Sequence, residues 1–119
     1  MTRLRIKRIA EAIRSEVADI LAREMKDPRL GFATVTGVEV SGDIRHVRVF
    51  VSVMGDDTQV AETMEALEGA QGFVRSEIGK RIRLRHTPEI SFRRDTSIQK
   101  GARVFQLLQE IQKEEGGPE

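Results

Sequence analysis

The chain has 119 residues, 39% of them hydrophobic, enough for one compact core and too few for a second. With no cysteine it can form no disulfide, thiolate zinc site or cysteine nucleophile, which suits a reducing compartment. The formal net charge is +1, and no stretch approaches the ~18 apolar residues that a membrane-spanning helix needs, so a membrane protein is not expected.

The first eight residues are basic, but an amphipathic stretch carrying charges throughout follows them instead of an apolar run, so no export signal is expected and the protein is read as soluble and cytoplasmic. Ile6, Ile9, Ile13, Val17, Ile20 and Leu21 recur at steps of three and four, one face of a helix from about residue 4 to about residue 25. It should stop at Lys26-Asp27-Pro28, because proline disfavours helical geometry in the residue before it, with Gly31 allowing a turn.

Residues 32 to 41 are rich in β-branched types and predict a strand with Thr34, Thr36, Val38 and Val40 on one side and a local irregularity at Gly37. After a turn at Ser41-Gly42-Asp43, Val47, Val49, Val51 and Val53 alternate with His46, Arg48, Phe50 and Ser52, which indicates an antiparallel hairpin with one buried face. Gly55-Asp56-Asp57 closes that strand, and Asp57 or Thr58 can cap a helix whose apolar positions include Val60, Met64 and Leu67.

A break is expected near Gly69, at Ala70 or within one residue of it. A second helical stripe, Val74, Ile78 and Ile82, then runs to about Leu84. Beyond Pro88, Ile90 and Phe92 alternate with polar neighbours as a third strand. Asp95, Thr96 or Ser97 can cap a last helix with the stripe Ile98, Phe105, Leu108 and Ile111. The order predicts an α+β fold, a three-stranded sheet covered by helices, forming one domain over residues 1–112 with a frayed acidic tail over 113–119.

Charge is unevenly distributed along this order. Between Arg75 and Arg94 seven bases face two acids, Glu77 and Glu89, and Arg3, Arg5, Lys7 and Arg8 precede the first acid. Acids gather instead at Asp56-Asp57, at Glu62, Glu65 and Glu68, and in the tail, so one positive and one negative side are expected. An electropositive face is the usual footprint of a nucleic-acid partner.

Within it, Lys80-Arg81-Ile82-Arg83-Leu84-Arg85 interleaves cations with apolar residues, placing Lys80 and Arg83 opposite the Val74, Ile78 and Ile82 stripe with Arg75 and Arg81 flanking it. Arginine pairs with phosphate oxygens in a bidentate way, so Arg3, Arg5, Lys7, Arg8, Arg75, Lys80, Arg81, Arg83 and Arg85 are the candidate RNA contacts, against the plainer reading of a solvated charged face.

Gly69-Ala70-Gln71-Gly72 spells G-x-x-G at a junction between helices, a pattern that in KH domains lets a phosphate backbone approach amide groups. Ten glycines in 119 residues make chance matches common, and the plainer reading is that these glycines merely break one helix into two. If the interruption is real, Gly72 should have packing or backbone geometry that a β-branched residue tolerates poorly, at a cost of about 1 kcal/mol or more.

His46 and His86 have no second ligand at zinc-site spacing, so neither a metal nor another cofactor is expected. Asp27, Asp43 and Asp95 sit beside turns or helix starts, where capping accounts for them, and with no nucleophile constellation and no phosphate-binding loop an enzyme is not expected. Phe32, Phe73, Phe92 and Phe105 fall at expected core positions, while Phe50 lies opposite the valine face and could stack on a base.

Four segments occur in order: Lys26-Asp27-Pro28-Arg29-Leu30-Gly31; Val40-Ser41-Gly42-Asp43; Gly72-Phe73-Val74-Arg75-Ser76-Glu77-Ile78-Gly79-Lys80 with Leu84-Arg85; and Pro88-Glu89-Ile90-Ser91-Phe92 followed by Asp95 and Ser97. In this order and spacing they resemble the ribosome-binding factor A family, over Arg8 to Ile111. The resemblance implies a type II KH-like domain of order α-β-β-α-kink-α-β-α in which an A-x-G kink, here Ala70-Gln71-Gly72, replaces the G-x-x-G clamp. Gly69 makes this chain satisfy both descriptions.

The resemblance further implies binding to 16S rRNA within the free 30S subunit near the decoding region, late maturation including 5′-end processing of that RNA, and importance during growth in the cold; a monomer is expected as the plainest oligomeric state. It leaves room for a ribosome-associated GTPase as a second partner. Two other readings stay open on the residues alone: a general KH-type protein acting on single-stranded RNA, and a protein-interaction domain whose charge is incidental.

Overall fold

A computed structural model of the chain describes residues 2–96. Helix α1 (Arg3–Asp19) begins where Thr2 Oγ1 accepts the amide of Arg5 at 3.3 Å and runs into one π-helical turn, Ile20–Glu24. Ile13, Val17 and Ile20 are fully buried, as their spacing predicts. The helix gives way at Lys26-Asp27-Pro28. Asp27 Oδ1 then accepts the amide of Arg29 at 3.0 Å and caps a short 3-10 helix, Pro28–Phe32, where the sequence suggested only a turn.

Strand β1 (Ala33–Val40) pairs antiparallel with β2 (His46–Val53), and β3 (Glu89–Arg94) adds to the other edge of β2 in parallel, giving the order β1-β2-β3. A parallel neighbour needs a crossover, and α2 (Asp57–Gly69) with α3 (Gln71–Arg81) supplies it. One cluster joins the buried residues of all three helices to Val47, Val49, Val51, Val53, Ile90 and Phe92. The helices therefore cover a single face of the sheet.

The sequence put Thr34 and Thr36 on one side of β1 with Val38 and Val40; the structure separates them. Val35 lies opposite Val51 and Gly37 opposite Phe50, so Thr36 is an extra residue, a β-bulge just before Gly37. The bulge shifts the side-chain alternation by one. Val35 before it and Val38 and Val40 after it all turn toward the core, whereas Thr34 and Thr36 face outward. Thr36 Oγ1 sits near the Phe50 carbonyl at 3.3 Å and donates to Asp95 Oδ2 at 2.7 Å, tying the end of β3 across to β1.

The cap of α2 is Asp56, one residue earlier than expected, in a reciprocal box: Asp56 Oδ1 accepts the Gln59 amide at 2.8 Å and Gln59 Oε1 accepts the Asp56 amide at 2.9 Å. Gly55 leads into that box at φ +130°, a conformation that other residues avoid, and a Cβ there would lie 2.6 Å from Gln59 Oε1 and 2.8 Å from Gln59 Cβ. Gly55→Ala should combine backbone strain with loss of the cap and lower stability by about 2 kcal/mol, read as a shift in the denaturant midpoint.

Between α2 and α3 the interruption falls on Ala70, buried at φ −88°, ψ −5°, whose amide closes the last turn of α2 on Ala66 at 3.0 Å and whose carbonyl opens α3 by accepting from Val74 at 2.9 Å. Helix α3 ends at Arg81, short of the expected Leu84, because the chain turns extended at Ile82. Val74 and Ile78 are fully buried and Ile82 packs against the core.

The phenylalanine assignment needs correcting. Phe92 is in the core, but Phe32, at the end of the 3-10 helix, is 49% exposed and Phe73, beside the buried stripe of α3 and not on it, is 43% exposed. Phe105, the last predicted helix with its stripe of Ile98, Leu108 and Ile111, its Ser97 cap, the domain end at 112 and the acidic tail over 113–119 lie outside the described residues.

Candidate nucleic-acid interface

Three segments distant in sequence meet at one end of the sheet. The start of α1 brings Arg5, the β1–β2 turn brings Asp43, Ile44 and Arg45, and the segment between α3 and β3 brings Arg83, Leu84, Arg85 and His86; together they line one cleft. Arg5, Arg45, Arg83 and Arg85 are all exposed, and among the described residues none of their side chains makes an ion pair or hydrogen bond. Four unpaired guanidiniums around one concavity form a strong anion-attracting site, with exposed His86 able to donate beside them.

The one carboxylate that lines the cleft among the described residues is already engaged. Ser41 Oγ donates to Asp43 Oδ1 at 2.6 Å, and Asp43 Oδ1 accepts the Arg45 amide at 3.1 Å. These bonds, led by Ser41, hold the Asp43 carboxyl below the usual carboxylate range, so it is ionised at neutral pH. Its contribution to the turn is present above the ordinary aspartate value and lost as pH falls through the lowered one.

Arg81, expected to reach RNA, has other partners. Its guanidinium lies 2.9 Å from Glu16, 2.8 Å from Asp19, 3.5 Å from Glu24 and 3.8 Å from Glu77, and the side chain is only 21% exposed. Hydrogen bonds to Asp19 and then Glu16 raise its pKa further, so it is a permanent cation pinning the end of α3 to α1. Lys80 is exposed but pairs with Glu77 at 3.2 Å, and Arg75 donates to the carbonyl of Thr87 at 3.2 Å while lining a shallow cleft with Gly72, Ser76 and Gly79. Arg3, Lys7 and Arg8 are exposed along the first turns of α1, outside the lining of the main cleft.

Of the candidate contacts, the structure therefore gathers Arg5, Arg83 and Arg85, sets Arg3, Lys7, Arg8, Arg75 and Lys80 around them or apart, and assigns Arg81 a structural role. Sequence reasoning missed Arg45 and His86. A signal for Arg45 exists only once β3 is known to lie beside the start of β2, since that pairing brings the β1–β2 turn next to the segment from 83 to 86.

The kink residues behave differently from expectation. Neither Gly69 nor Gly72 has a positive φ, and a Cβ on either would meet nothing within 4 Å. Packing and backbone geometry thus do not require glycine at Gly72. Gly72→Ala should leave stability unchanged or raise it by up to ~1 kcal/mol through helix propensity, measured by thermal melting.

Among the described residues there is no cluster of three or more histidine or acidic side chains able to hold a metal, and no helix is long and apolar enough to cross a membrane. The model of the ribosome-binding factor A family matches residues 5–108. The chain belongs to the ribosome-binding factor A family. The ribosome-binding factor A of Desulfitobacterium hafniense (strain DSM 10664 / DCB-2) is 51% identical over 115 residues, covering 97% of this chain and 92% of that protein.

Among solved structures, that of a Thermotoga maritima protein provisionally named ribosome binding factor A is 35% identical and superposes with a TM-score of 0.67 over 78% of this chain and 89% of that one. A Thermus thermophilus ribosome binding factor A, fitted as a homology model into a cryo-EM map of a 30S complex, is 23% identical, with a TM-score of 0.60 over 73% and 91%. In this member of the family, the cleft carries the guanidiniums of Arg5, Arg45, Arg83 and Arg85, unpaired among the described residues.

Proposed function

We propose that this protein is a non-catalytic assembly factor that binds 16S rRNA in the free 30S subunit through the face centred on Arg5, Arg83 and Arg85, with Arg3, Lys7, Arg8, Arg75 and Lys80 around them. Its work would be late subunit maturation, including processing of the 5′ end of 16S rRNA, in the cytoplasm and with most weight during growth in the cold. The protein acts as a monomeric type II KH-like domain, and a ribosome-associated GTPase is a candidate second partner.

The observation that carries this reading is the convergence of unpaired arginines from three separate segments on one cleft, in a chain of this family. Ion pairs internal to the protein would neutralise such charge if its role were structural. Among the described residues the cleft's lining includes no phenylalanine, which favours contact with the RNA backbone over stacking on bases.

Binding to purified 30S subunits should weaken steeply between low and physiological salt, because each neutralised phosphate releases counterions. Salt-insensitive binding would remove the basic face from the interface. Cells lacking the protein should accumulate 16S rRNA with an extended 5′ end, and normal ends would remove the maturation role.

A general KH-type protein for single-stranded RNA is the second reading. It draws support from Gly69 and Gly72, which no packing constraint in the structure demands and which leave open space for a backbone to approach. That reading predicts binding to unstructured RNA as tight as to the 30S subunit.

A further inference from the structure

The β1–β2 turn is built with unusual constraint for a surface loop. Ile44 adopts φ +58°, a left-handed conformation that a β-branched residue seldom takes, and yet it is buried, in the wall of the basic cleft and outside the main core cluster. Strain of this kind persists only where the surroundings fix it. Here the surroundings are a dense set of bonds: the Ile44 amide reaches the Ser41 carbonyl at 2.9 Å, the Ser41 amide reaches the His46 carbonyl at 2.9 Å, and Ser41 Oγ accepts the amides of Arg45 and His46 at 3.2 and 3.0 Å.

All of this converges on Arg45. Its amide is held by Ser41 and Asp43, and its carbonyl accepts the Glu89 amide at 2.8 Å, so both backbone polar atoms are fixed. Its side chain, by contrast, is exposed, lines the cleft and has no partner among the described residues. A rigid backbone beneath an uncommitted guanidinium is what a preorganised contact requires, because little freedom remains to be lost on binding.

We propose that the Ser41–Arg45 turn is itself an RNA-binding element, in which Ser41, Asp43 and left-handed Ile44 position Arg45 to take a backbone phosphate beside those held by Arg5, Arg83 and Arg85. Arg45 is the contact; Asp43 is a positioning residue that acts through the Arg45 amide. The inference rests on the RNA-binding reading of the cleft and adds to it a residue and a device. Asp43 would otherwise be unfavourable at such a site, since its negative charge opposes phosphate, and its presence is explained by the amide it holds.

That opposition yields a decisive comparison with an RNA hairpin as the probe. Asp43→Asn and Asp43→Ala carry the same charge, but only asparagine keeps an acceptor for the Arg45 amide. The Asn variant should bind the hairpin at least as tightly as the unaltered protein, and the Ala variant about fivefold more weakly than the Asn variant. Arg45→Ala should weaken binding and lower the slope of log affinity against log salt by about one. Placed in the Arg45→Ala background, the Asn and Ala variants should bind alike.

Equal binding by Asp43→Asn and Asp43→Ala in the presence of Arg45, with both folded by circular dichroism, would overturn the positioning role. An Arg45→Ala protein with unchanged affinity and salt slope would overturn the contact. Failure of the unaltered protein to bind the hairpin at all, with salt-sensitive binding to 30S subunits intact, would overturn the claim that the turn takes RNA phosphate. Failure of both would instead remove the RNA-binding reading itself.

Discussion

Reversing both Arg83 and Arg85 to glutamate is expected to leave the protein folded and to weaken binding to 30S subunits on the order of 100-fold. Both side chains are exposed in the segment after α3, off the buried Val74 and Ile78 stripe and without partners among the described residues, so the core does not use their charge. Stability should change by no more than roughly 0.5 kcal/mol per site. A charge-assisted bond to phosphate contributes about 1.5 kcal/mol or more, and losing two gives the expected factor. The salt slope should fall by about two, one for each lost contact. A melting temperature that collapses instead would show that these arginines support the fold, and unchanged affinity would move the interface to another face, first to Arg3, Lys7 and Arg8.

The opposite pattern is expected for Ile78→Ala. Ile78 is fully buried on α3, in the cluster that joins this helix to the sheet and to α1. Truncation leaves a cavity where the crossover helix packs, and the cost should be about 3 kcal/mol, read from chemical denaturation. Because α3 leads directly into the segment carrying Arg83 and Arg85, binding should weaken only under conditions where the variant begins to unfold. A stability loss below about 1 kcal/mol would mean that the helix is not anchored by this stripe.

How far the sequence reveals the fold depends on whether a signal is local. The valines of β2 alternate without interruption, so a period of two identifies the buried face from residues alone. In β1 the same reasoning places Thr34 and Thr36 wrongly, because a bulge adds one residue and inverts the alternation beyond it. Gly37 marks the irregularity, but a glycine does not say which neighbour becomes the extra residue. The interruption between α2 and α3 is visible in its glycine cluster and falls at Ala70 as that cluster suggests, whereas the glycines themselves have room for a side chain.

The candidate site is less legible for the same reason. In sequence Arg81 and Arg83 look alike, two cations two residues apart. Their difference comes from Glu16, Asp19 and Glu24, some sixty residues earlier, which meet Arg81 only after α1 has packed against α3. Arg45 is the converse case: nothing near it in the chain marks it as a contact, and it joins Arg83 and Arg85 only through the parallel pairing of β2 with β3. Composition can show that a basic face exists; the fold decides which cations belong to it.

The most direct measurement is sedimentation of cell lysates containing either the unaltered protein or the Arg83→Glu, Arg85→Glu variant, with each fraction probed for the protein. The unaltered protein should be enriched with free small subunits over both assembled ribosomes and the light fractions, and the folded double variant should move to the light fractions. An unaltered protein confined to the light fractions, or a folded double variant that stays with the small subunit, would contradict binding through this cleft.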